Sequence, residues 1–255
     1  MIKALFIDLS GVLYEGHQVI AGAVAAIKKA RDNRLALRFV TNTSRRTRTQ
    51  LLTDLENLGF ELQEEELFSA PVAVHAWLQK KKLRPYCLIH QQIKSEFSDL
   101  PQTEPNAVVI GDAEQGFCYD NLNRAFQLCQ QGAPLIGIGY NRYFKLGGQL
   151  LLDAGAFIKA IEFAASTEAI IIGKPSKDFF LQVLASTTFS ADQVLMIGDD
   201  IYGDVEGALN AGLDACLVRT GKYQTGDENK LSKAHLTCDS IVQAIDYVIT
   251  RQQRN

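Results

Sequence analysis

Acidic side chains stand directly after two apolar runs that lie far apart in the chain. Asp8 follows the first run, residues 2–7. The second run, 193–197, is followed within a few positions by three acids: Asp199, Asp200 and Asp204. An ionised carboxylate at the end of a buried strand is costly unless it is paired, hydrogen-bonded or bound to a metal. Acids in these positions therefore suggest a metal site.

The segments around Asp8 indicate how such residues are positioned. The apolar run 2–7 is typical of a strand that is buried on both faces. A helix is predicted at 21–33, a second strand at 35–40 and a second helix at 45–58. This alternation of strand and helix is typical of an open parallel sheet, in which ligands bind beyond the carboxyl ends of the strands.

The same alternation is predicted in the C-terminal part of the chain. Its strands and helices are expected at 169–175, 177–186, 193–197, 205–211 and 215–218. The first of these strands ends in Gly-Lys-Pro, which contains Lys174. Because the carboxyl ends of parallel strands share one edge of a sheet, we expect four distant residues to converge there: Asp8, Thr41, Lys174 and Asp199.

The stretch between these two parts contains enough predicted strands and helices to form a module of its own. We place this smaller inserted α/β cap domain at 80–167. The remaining segments, 1–79 and 168–255, then form a core domain with a Rossmann-like parallel sheet. The predicted fold class is therefore α/β.

Composition narrows the classes of function. The 255 residues are 47% hydrophobic and carry a formal net charge of −3, which argues against nucleic acid or an anionic membrane as the main partner. No apolar run approaches the roughly 20 residues of a membrane helix, and a secretory leader is not indicated, so a cytoplasmic location is expected. The five cysteines lack a CxxC pair and suggest neither a disulfide framework nor a zinc site.

The chemistry that suits the expected cluster is phosphoryl transfer. Carboxylates that meet at one edge repel one another unless a divalent cation lies between them, and oxygen ligands of this kind suit Mg²⁺. Thr41, Asn42 and Lys174 add the donors and the positive charge that phosphoryl oxygens require.

This combination resembles the haloacid dehalogenase (HAD) superfamily of phosphohydrolases. Its four motifs occur in order: the strand ending in Asp8, the strand ending in Thr41, Lys174 in Gly-Lys-Pro, and Gly198-Asp199-Asp200 with Asp204. A module inserted between the second and third motifs is similar to the type-two cap of the superfamily. Within it, the chain resembles the subgroup of phospholysine phosphohistidine inorganic pyrophosphate phosphatase and its close relatives.

The resemblance implies a role for each motif residue. Asp8 would be the nucleophile that forms an aspartyl phosphate, and Asp8, Asp199 and the carbonyl of Ser10 would hold Mg²⁺. Lys174 would orient Asp8, and Thr41 and Asn42 would hold the phosphoryl group of a small phosphorylated substrate. The outer carboxylates, which would fix metal-bound waters or the lysine, are Asp200 and Asp204. Members of the superfamily often dimerise through the cap, but no stripe in the sequence indicates a dimer, so monomer and homodimer both stay open.

Ser10 departs from the pattern of the superfamily, which usually has aspartate two residues after the nucleophile. That aspartate donates a proton to the leaving group, and a serine hydroxyl is too weak an acid for the task. A phosphoramidate nitrogen can be protonated by solvent, and pyrophosphate releases a stabilised anion. Ser10 therefore favours substrates with P–N or P–O–P bonds over alkyl phosphates.

The sequence leaves alternative roles open for the acids and for the protein as a whole. Asp8 alone would be interpreted as a turn cap, and Asp200 and Asp204 could cap the helix predicted at 205–211. Because Ser10 removes one catalytic group, a phosphate- or metal-binding regulatory protein with little turnover is the main alternative function. A mutase has no support in the sequence, and a dinucleotide-dependent oxidoreductase is disfavoured since no G-x-G-x-x-G follows the first strand.

Overall fold

The computed structural model describes residues 1–146 and 149–253. The strands are β1 Ala4–Asp8, β2 Tyr14–Glu15, β3 Gln18–Val19, β4 Ala36–Thr41, β5 Leu67–Ser69, β6 Pro85–Leu88, β7 Ala107–Ile110, β8 Leu135–Gly137, β9 Tyr143–Leu146, β10 Gln149–Leu152, β11 Ile170–Ile171, β12 Val194–Gly198, β13 Asp214–Val218 and β14 Leu236–Cys238. The helices are α1 Ala23–Asp32, α2 Arg48–Asn57, α3 Ala70–Lys81, α4 Tyr119–Gln130, α5 Ala154–Ala165, α6 Lys177–Ala185, α7 Gly207–Ala211 and α8 Ile241–Gln253. A π-helical segment, Ile201–Glu206, immediately precedes α7.

Contacts divide the chain into two compact units. The core unit comprises Met1–Thr41, Leu51–Phe68 and the chain from Pro175 onward. The inserted unit comprises Asn42–Gln50 and Ser69–Lys174. Both units combine strands and helices, so the α/β fold class predicted from the sequence is confirmed.

The main sheet has the strand order β14-β13-β12-β1-β4-β5 over the described residues. Strand β1 lies between β12 and β4 and is parallel to both. Its apolar residues have no exposed surface, as the continuous apolar run predicts. On one face of the sheet, Leu5 and Ile7 pack with Ile27 of α1 and Ile245 of α8. This packing fixes the end of β1, where Asp8 lies.

The inserted unit is built on a second parallel sheet with the order β11-β8-β7-β6 among the described strands. An antiparallel hairpin of β9 and β10 lies in the same unit. Helix α3 also belongs to it, because Val74 and Leu78 pack with Ile93 and Phe97. The unit therefore begins earlier than the insertion 80–167 that the sequence suggests, and the domain division of the sequence stays a prediction.

Two local features of the core unit differ from the sequence expectation. The helix predicted at 205–211 is preceded by the π-helical segment Ile201–Glu206, and the edge strand β14 was not predicted. A short strand such as Leu236–Cys238 has too little apolar periodicity to be recognised. Within residues 1–146 and 149–253, no helix is both long and apolar enough to cross a membrane.

Candidate active site

Two neighbouring strands of the main sheet position the first pair of acids. Strands β1 and β12 run parallel with Ile7 opposite Ile197, so that Asp8 and Asp199 leave the sheet at the same edge. Both side chains are buried, with Asp8 6% and Asp199 1% exposed. The register thus produces the convergence of these two residues that the sequence predicts.

A third acid joins them from the π-helical segment. Carboxylate oxygens of Asp8, Asp199 and Asp204 all lie within 4.8 Å of one another, and we call these three residues the acid cluster. Asp204 packs against Gly198, where a Cβ atom would lie only 2.2 Å from the Asp204 side chain. Asp204 therefore belongs to the same cluster as Asp8 and Asp199, although the sequence suggested an outer position for it.

The electrostatics of the acid cluster favour a bound cation. Burial raises the pKa of Asp199 well above its usual range, and the charges of Asp8 and Asp204 raise it further. Its Oδ1 is buried without a hydrogen-bond partner anywhere in the described chain. A hard cation such as Mg²⁺ would satisfy this oxygen and remove the repulsion, so the residues present fit this metal.

Asp200 has a different environment from its neighbour Asp199. Its Oδ1 accepts hydrogen bonds from the backbone N–H groups of Tyr202 at 3.0 Å and Gly203 at 2.9 Å. Asp200 therefore caps the π-helical segment Ile201–Glu206, and not the helix predicted at 205–211 as the alternative interpretation of the sequence had it. Its backbone N–H also donates to Asp204 Oδ2 at 3.1 Å, which holds the third member of the acid cluster in place.

The turn after Asp8 carries Ser10 at its exposed side. The turn is closed by hydrogen bonds from Gly11 N to the Tyr14 carbonyl at 2.7 Å and from Leu13 N to the Leu9 carbonyl at 2.8 Å. Gly11 has a φ of +86°, a conformation that side chains disfavour. Ser10 provides a carbonyl and a hydroxyl two residues after Asp8 but no acid.

Thr41 lies at the same edge of the main sheet as Asp8. Strand β4 pairs with β1 in a register that sets Asp8 opposite Val40, one residue before Thr41. Thr41 is buried, with 4% of its surface exposed. The core unit thus brings together Asp8, Thr41 and Asp199 of the four residues expected to converge.

Lys174, the fourth of these residues, belongs to the inserted unit. The expectation that its strand continues the main sheet is wrong, because β11 pairs with β8 in the second sheet. Asn42 lies in the same unit and holds the backbone of Lys174: Asn42 Nδ2 donates to the Lys174 carbonyl at 2.6 Å, and Lys174 N donates to Asn42 Oδ1 at 2.7 Å. Two of the three predicted phosphate-binding residues, Asn42 and Lys174, are therefore hydrogen-bonded to each other.

A family model described as haloacid dehalogenase-like hydrolase matches residues 5–101, and one described as HAD-hydrolase-like matches residues 171–244. Haloacid dehalogenase-like hydrolase domain-containing protein 2 of Bos taurus is 41% identical, over 97% of this chain and 96% of its own length. The chain belongs to the haloacid dehalogenase-like hydrolase family.

A second relative and a solved structure agree with this membership. Phospholysine phosphohistidine inorganic pyrophosphate phosphatase of Rattus norvegicus is 40% identical, over 99% of this chain and 96% of the relative. The p-nitrophenyl phosphatase of Archaeoglobus fulgidus is 22% identical and has a TM-score of 0.89, covering 96% of this chain and 99% of the other. The first comparison confirms the resemblance found in the sequence, and the second confirms the fold.

This haloacid dehalogenase-like hydrolase also contains a site element that the sequence did not reveal, the loop Thr220–Lys222 after β13. The backbone N–H of Lys222 donates to Asp199 Oδ2 at 2.7 Å, and its amino group lies 3.4 Å from Asp200 Oδ2. Burial lowers the pKa of Lys222, but nearby carboxylates, led by Asp200, outweigh it and raise the pKa. The sequence could have indicated this loop only by its position after a predicted strand. Strand β13 is parallel to β12 and ends at the same edge of the sheet.

Proposed function

We propose that this chain is a Mg²⁺-dependent phosphatase that acts on small phosphorylated compounds through an aspartyl phosphate on Asp8. The single observation that supports this function most strongly is the acid cluster, three buried carboxylates within 4.8 Å at the carboxyl edge of a parallel sheet. A purely structural cluster of this kind would be destabilised by its own repulsion. Membership of a hydrolase family is consistent with the proposal.

In the proposed reaction Asp8 is the nucleophile. One of its carboxylate oxygens attacks phosphorus in line, the bond to the leaving group breaks, and an aspartyl phosphate forms. Water then hydrolyses the acyl phosphate, which releases phosphate and regenerates the carboxylate. Covalent catalysis of this type splits one difficult displacement into two easier ones.

The other residues of the site bind and orient. Asp8, Asp199 and the carbonyl of Ser10 would hold Mg²⁺ next to Asp204, where the ion would neutralise the carboxylates and the phosphoryl oxygens. Thr41 and Asn42 are proposed to bind the phosphoryl group, and Lys174 is proposed to orient Asp8. Asp200 is proposed to have a structural role, since its carboxylate caps the segment Ile201–Glu206.

Ser10 supports a narrower substrate class. Positioned acid catalysis contributes roughly 10²- to 10⁴-fold in rate, and a serine hydroxyl does not supply it near neutral pH. Phosphoramidates and pyrophosphate need this help least, because a P–N nitrogen is protonated by solvent and phosphate is a stable leaving group. We propose that these bonds are preferred over alkyl phosphate esters. The names of both relatives support a hydrolase, but only one of them specifies substrates with P–N or P–O–P bonds. Ser10 is therefore the stronger argument for this substrate class.

Phosphate release with and without Mg²⁺ tests the activity. Asp8→Asn should lower kcat/KM by at least about 10³-fold, since the nucleophile is lost. Asp178→Asn, at an exposed acid on α6, is the matched control and should keep the wild-type rate. Wild-type protein without turnover, or equal rates for the wild type and Asp8→Asn, would instead support the regulatory binding protein.

Comparing kcat/KM for imidodiphosphate, pyrophosphate and an alkyl phosphate tests the substrate class. Ser10→Asp should raise alkyl phosphate turnover, by up to about 10²-fold, because it restores a positioned acid. Ser10→Ala should leave the order of substrates unchanged, since the hydroxyl is not the acid. A wild-type preference for the alkyl phosphate would refute the proposed substrate class and leave the phosphatase proposal intact.

A further inference from the structure

The loop 220–222 and the turn after Asp8 enclose the carboxylate of Asp199 between them. A Cβ atom on Gly11 would lie 2.0 Å from Asp199 Oδ2, and a Cβ atom on Gly221 would lie at the same distance from the same oxygen. Neither position can therefore carry a side chain while Asp199 keeps its orientation. Both glycines also have positive φ, +86° and +63°, a conformation that residues with a side chain disfavour.

Hydrogen bonds connect the loop both to this carboxylate and to the turn. Lys222 N donates to Asp199 Oδ2 at 2.7 Å, which takes one of the acceptor positions of this oxygen, whereas Oδ1 is buried without a partner in the described chain. The hydroxyl of Thr220 donates to the carbonyl of Gly11. Because Gly11 lies three residues after Asp8, this bond links the loop to the turn that follows the proposed nucleophile.

Backbone hydrogen bonds of the two residues that flank the loop also hold it in place. The backbone N–H of Arg219 donates to the carbonyl of Cys238 in β14 at 2.9 Å. Tyr223 N closes the turn by donating to the Thr220 carbonyl at 3.3 Å. The loop is therefore held by the sheet on one side and contacts Asp199 on the other, as a support for a metal ligand requires.

We propose that Thr220, Gly221 and the backbone of Lys222 are positioning residues, which hold Asp199 so that its unpartnered Oδ1 is available to a divalent cation. This inference rests on the proposed function, because it assumes that the acid cluster binds Mg²⁺. The contribution of Lys222 comes from its N–H group. Its side chain interacts with Asp200 instead. Outer partners of metal ligands typically change metal affinity by roughly 10- to 100-fold.

Calorimetric titration of the full chain with Mg²⁺ tests the role of Thr220. Thr220→Val should raise the Kd for Mg²⁺ by at least about 10-fold, and Thr220→Ser, which keeps the hydroxyl, should restore it. Thr187→Val is the matched control, since the Thr187 hydroxyl also donates to a backbone carbonyl, that of Leu184 at 2.7 Å, and should bind Mg²⁺ like the wild type. Saturating Mg²⁺ should return kcat of Thr220→Val to near the wild-type value.

The glycine provides an independent test. Gly221→Ala should weaken Mg²⁺ binding by at least about 10-fold, because the methyl group displaces Asp199. Gly212→Ala is the control: its φ is +89°, so the backbone strain is comparable, but its nearest neighbour is Ala191 at 3.8 Å. Lys222→Met keeps the backbone N–H and should bind Mg²⁺ at least as tightly as the wild type. Unfolding temperatures measured in EDTA show whether each variant is folded.

The outcomes separate this inference from the proposed function. Wild-type affinity in both Thr220→Val and Gly221→Ala would overturn the positioning role and leave the phosphatase proposal standing. Equal losses in Gly221→Ala and Gly212→Ala would also overturn it, since strain alone would then explain the effect. A wild-type chain that binds no Mg²⁺ would refute the metal site and the positioning role together.

Discussion

Each of the two parallel sheets described in this chain has a buried aspartate at the carboxyl end of one strand. One aspartate is next to a cation, and the other is next to further acids. In the inserted unit, Asp112 follows β7 and is paired with the guanidinium of Arg45. In the core unit, Asp8 is the last residue of β1, and its carboxylate lies within 4.8 Å of two further carboxylates. Asp8 and Asp112 are equally exposed, at 6% each. Burial of an acid at a strand end therefore does not distinguish a structural group from a proposed nucleophile.

The difference lies in where the compensating charge comes from. Arg45 binds Asp112 and also Glu114 at 2.7 Å, and its guanidinium stacks on the ring of Phe144 at 4.7 Å. The chain thus supplies the cation for the inserted unit. In the core unit, Asp199 Oδ1 has no hydrogen-bond partner among the described residues, which leaves a coordination position for an external cation. The first arrangement stabilises a fold, whereas the second is suited to binding a metal.

Asp199→Asn should have the largest effect on this comparison. Losing a proposed metal ligand should weaken Mg²⁺ binding and lower kcat/KM by at least about 100-fold. Asp112→Asn is the matched variant in the inserted unit and should bind Mg²⁺ like the wild type, since its partner is Arg45. Titration calorimetry and phosphate release measure the two quantities. Equal losses in both variants would remove the proposed distinction between the two acids.

Mg²⁺ should raise the unfolding temperature of the wild type and not that of Asp199→Asn. A ligand at about 100 times its Kd stabilises the native state by about 2.7 kcal/mol, and EDTA should reverse the shift. Asp112→Asn should respond like the wild type. A scan at equal ionic strength in NaCl controls for general salt effects. A shift of the same size in Asp199→Asn would show that Mg²⁺ acts elsewhere on the chain.

Sequence reasoning succeeded where the signal is local. The apolar runs around residues 2–7 and 193–197 predicted β1 and β12, and their parallel register brought Asp8 and Asp199 together. Burial on both faces requires a continuous run of apolar residues, so such strands can be recognised from the sequence pattern alone. The same argument predicted Thr41 at the end of β4.

Other features depend on long-range contacts that no local sequence pattern reveals. Strand β11 is only Ile170–Ile171, and nothing in two isoleucines indicates whether they pair with the main sheet or with β8. The bond from Lys222 to Asp199 uses a backbone N–H, which every residue except proline possesses. Arg45 and Asp112 are 67 residues apart, so their pairing could not be inferred from spacing.

In the metal-free protein, the loss of Asp112 and the loss of Asp199 should have different effects on the free energy of unfolding. Asp112→Asn should lower the free energy of unfolding by about 1–2 kcal/mol, because it leaves the Arg45 charge without its buried partner. Asp199→Asn should leave it unchanged or raise it by about 1 kcal/mol, since the repulsion from Asp8 and Asp204 is reduced. Urea unfolding in EDTA measures both values. Destabilisation by Asp199→Asn would mean that the acid cluster supports the fold.

Arg45→Lys should have the smallest effect and should test whether the pair with Asp112 is structural. Lysine keeps the charge but loses the planar guanidinium, which contacts Asp112 and Glu114 together and stacks on Phe144. We expect the free energy of unfolding to fall by about 0.5–1 kcal/mol, with an unchanged Kd for Mg²⁺. Urea unfolding and titration of the same sample measure the two quantities. A weaker Mg²⁺ affinity would instead link Arg45 to the metal site, and the contrast between the two sheet edges would then no longer hold.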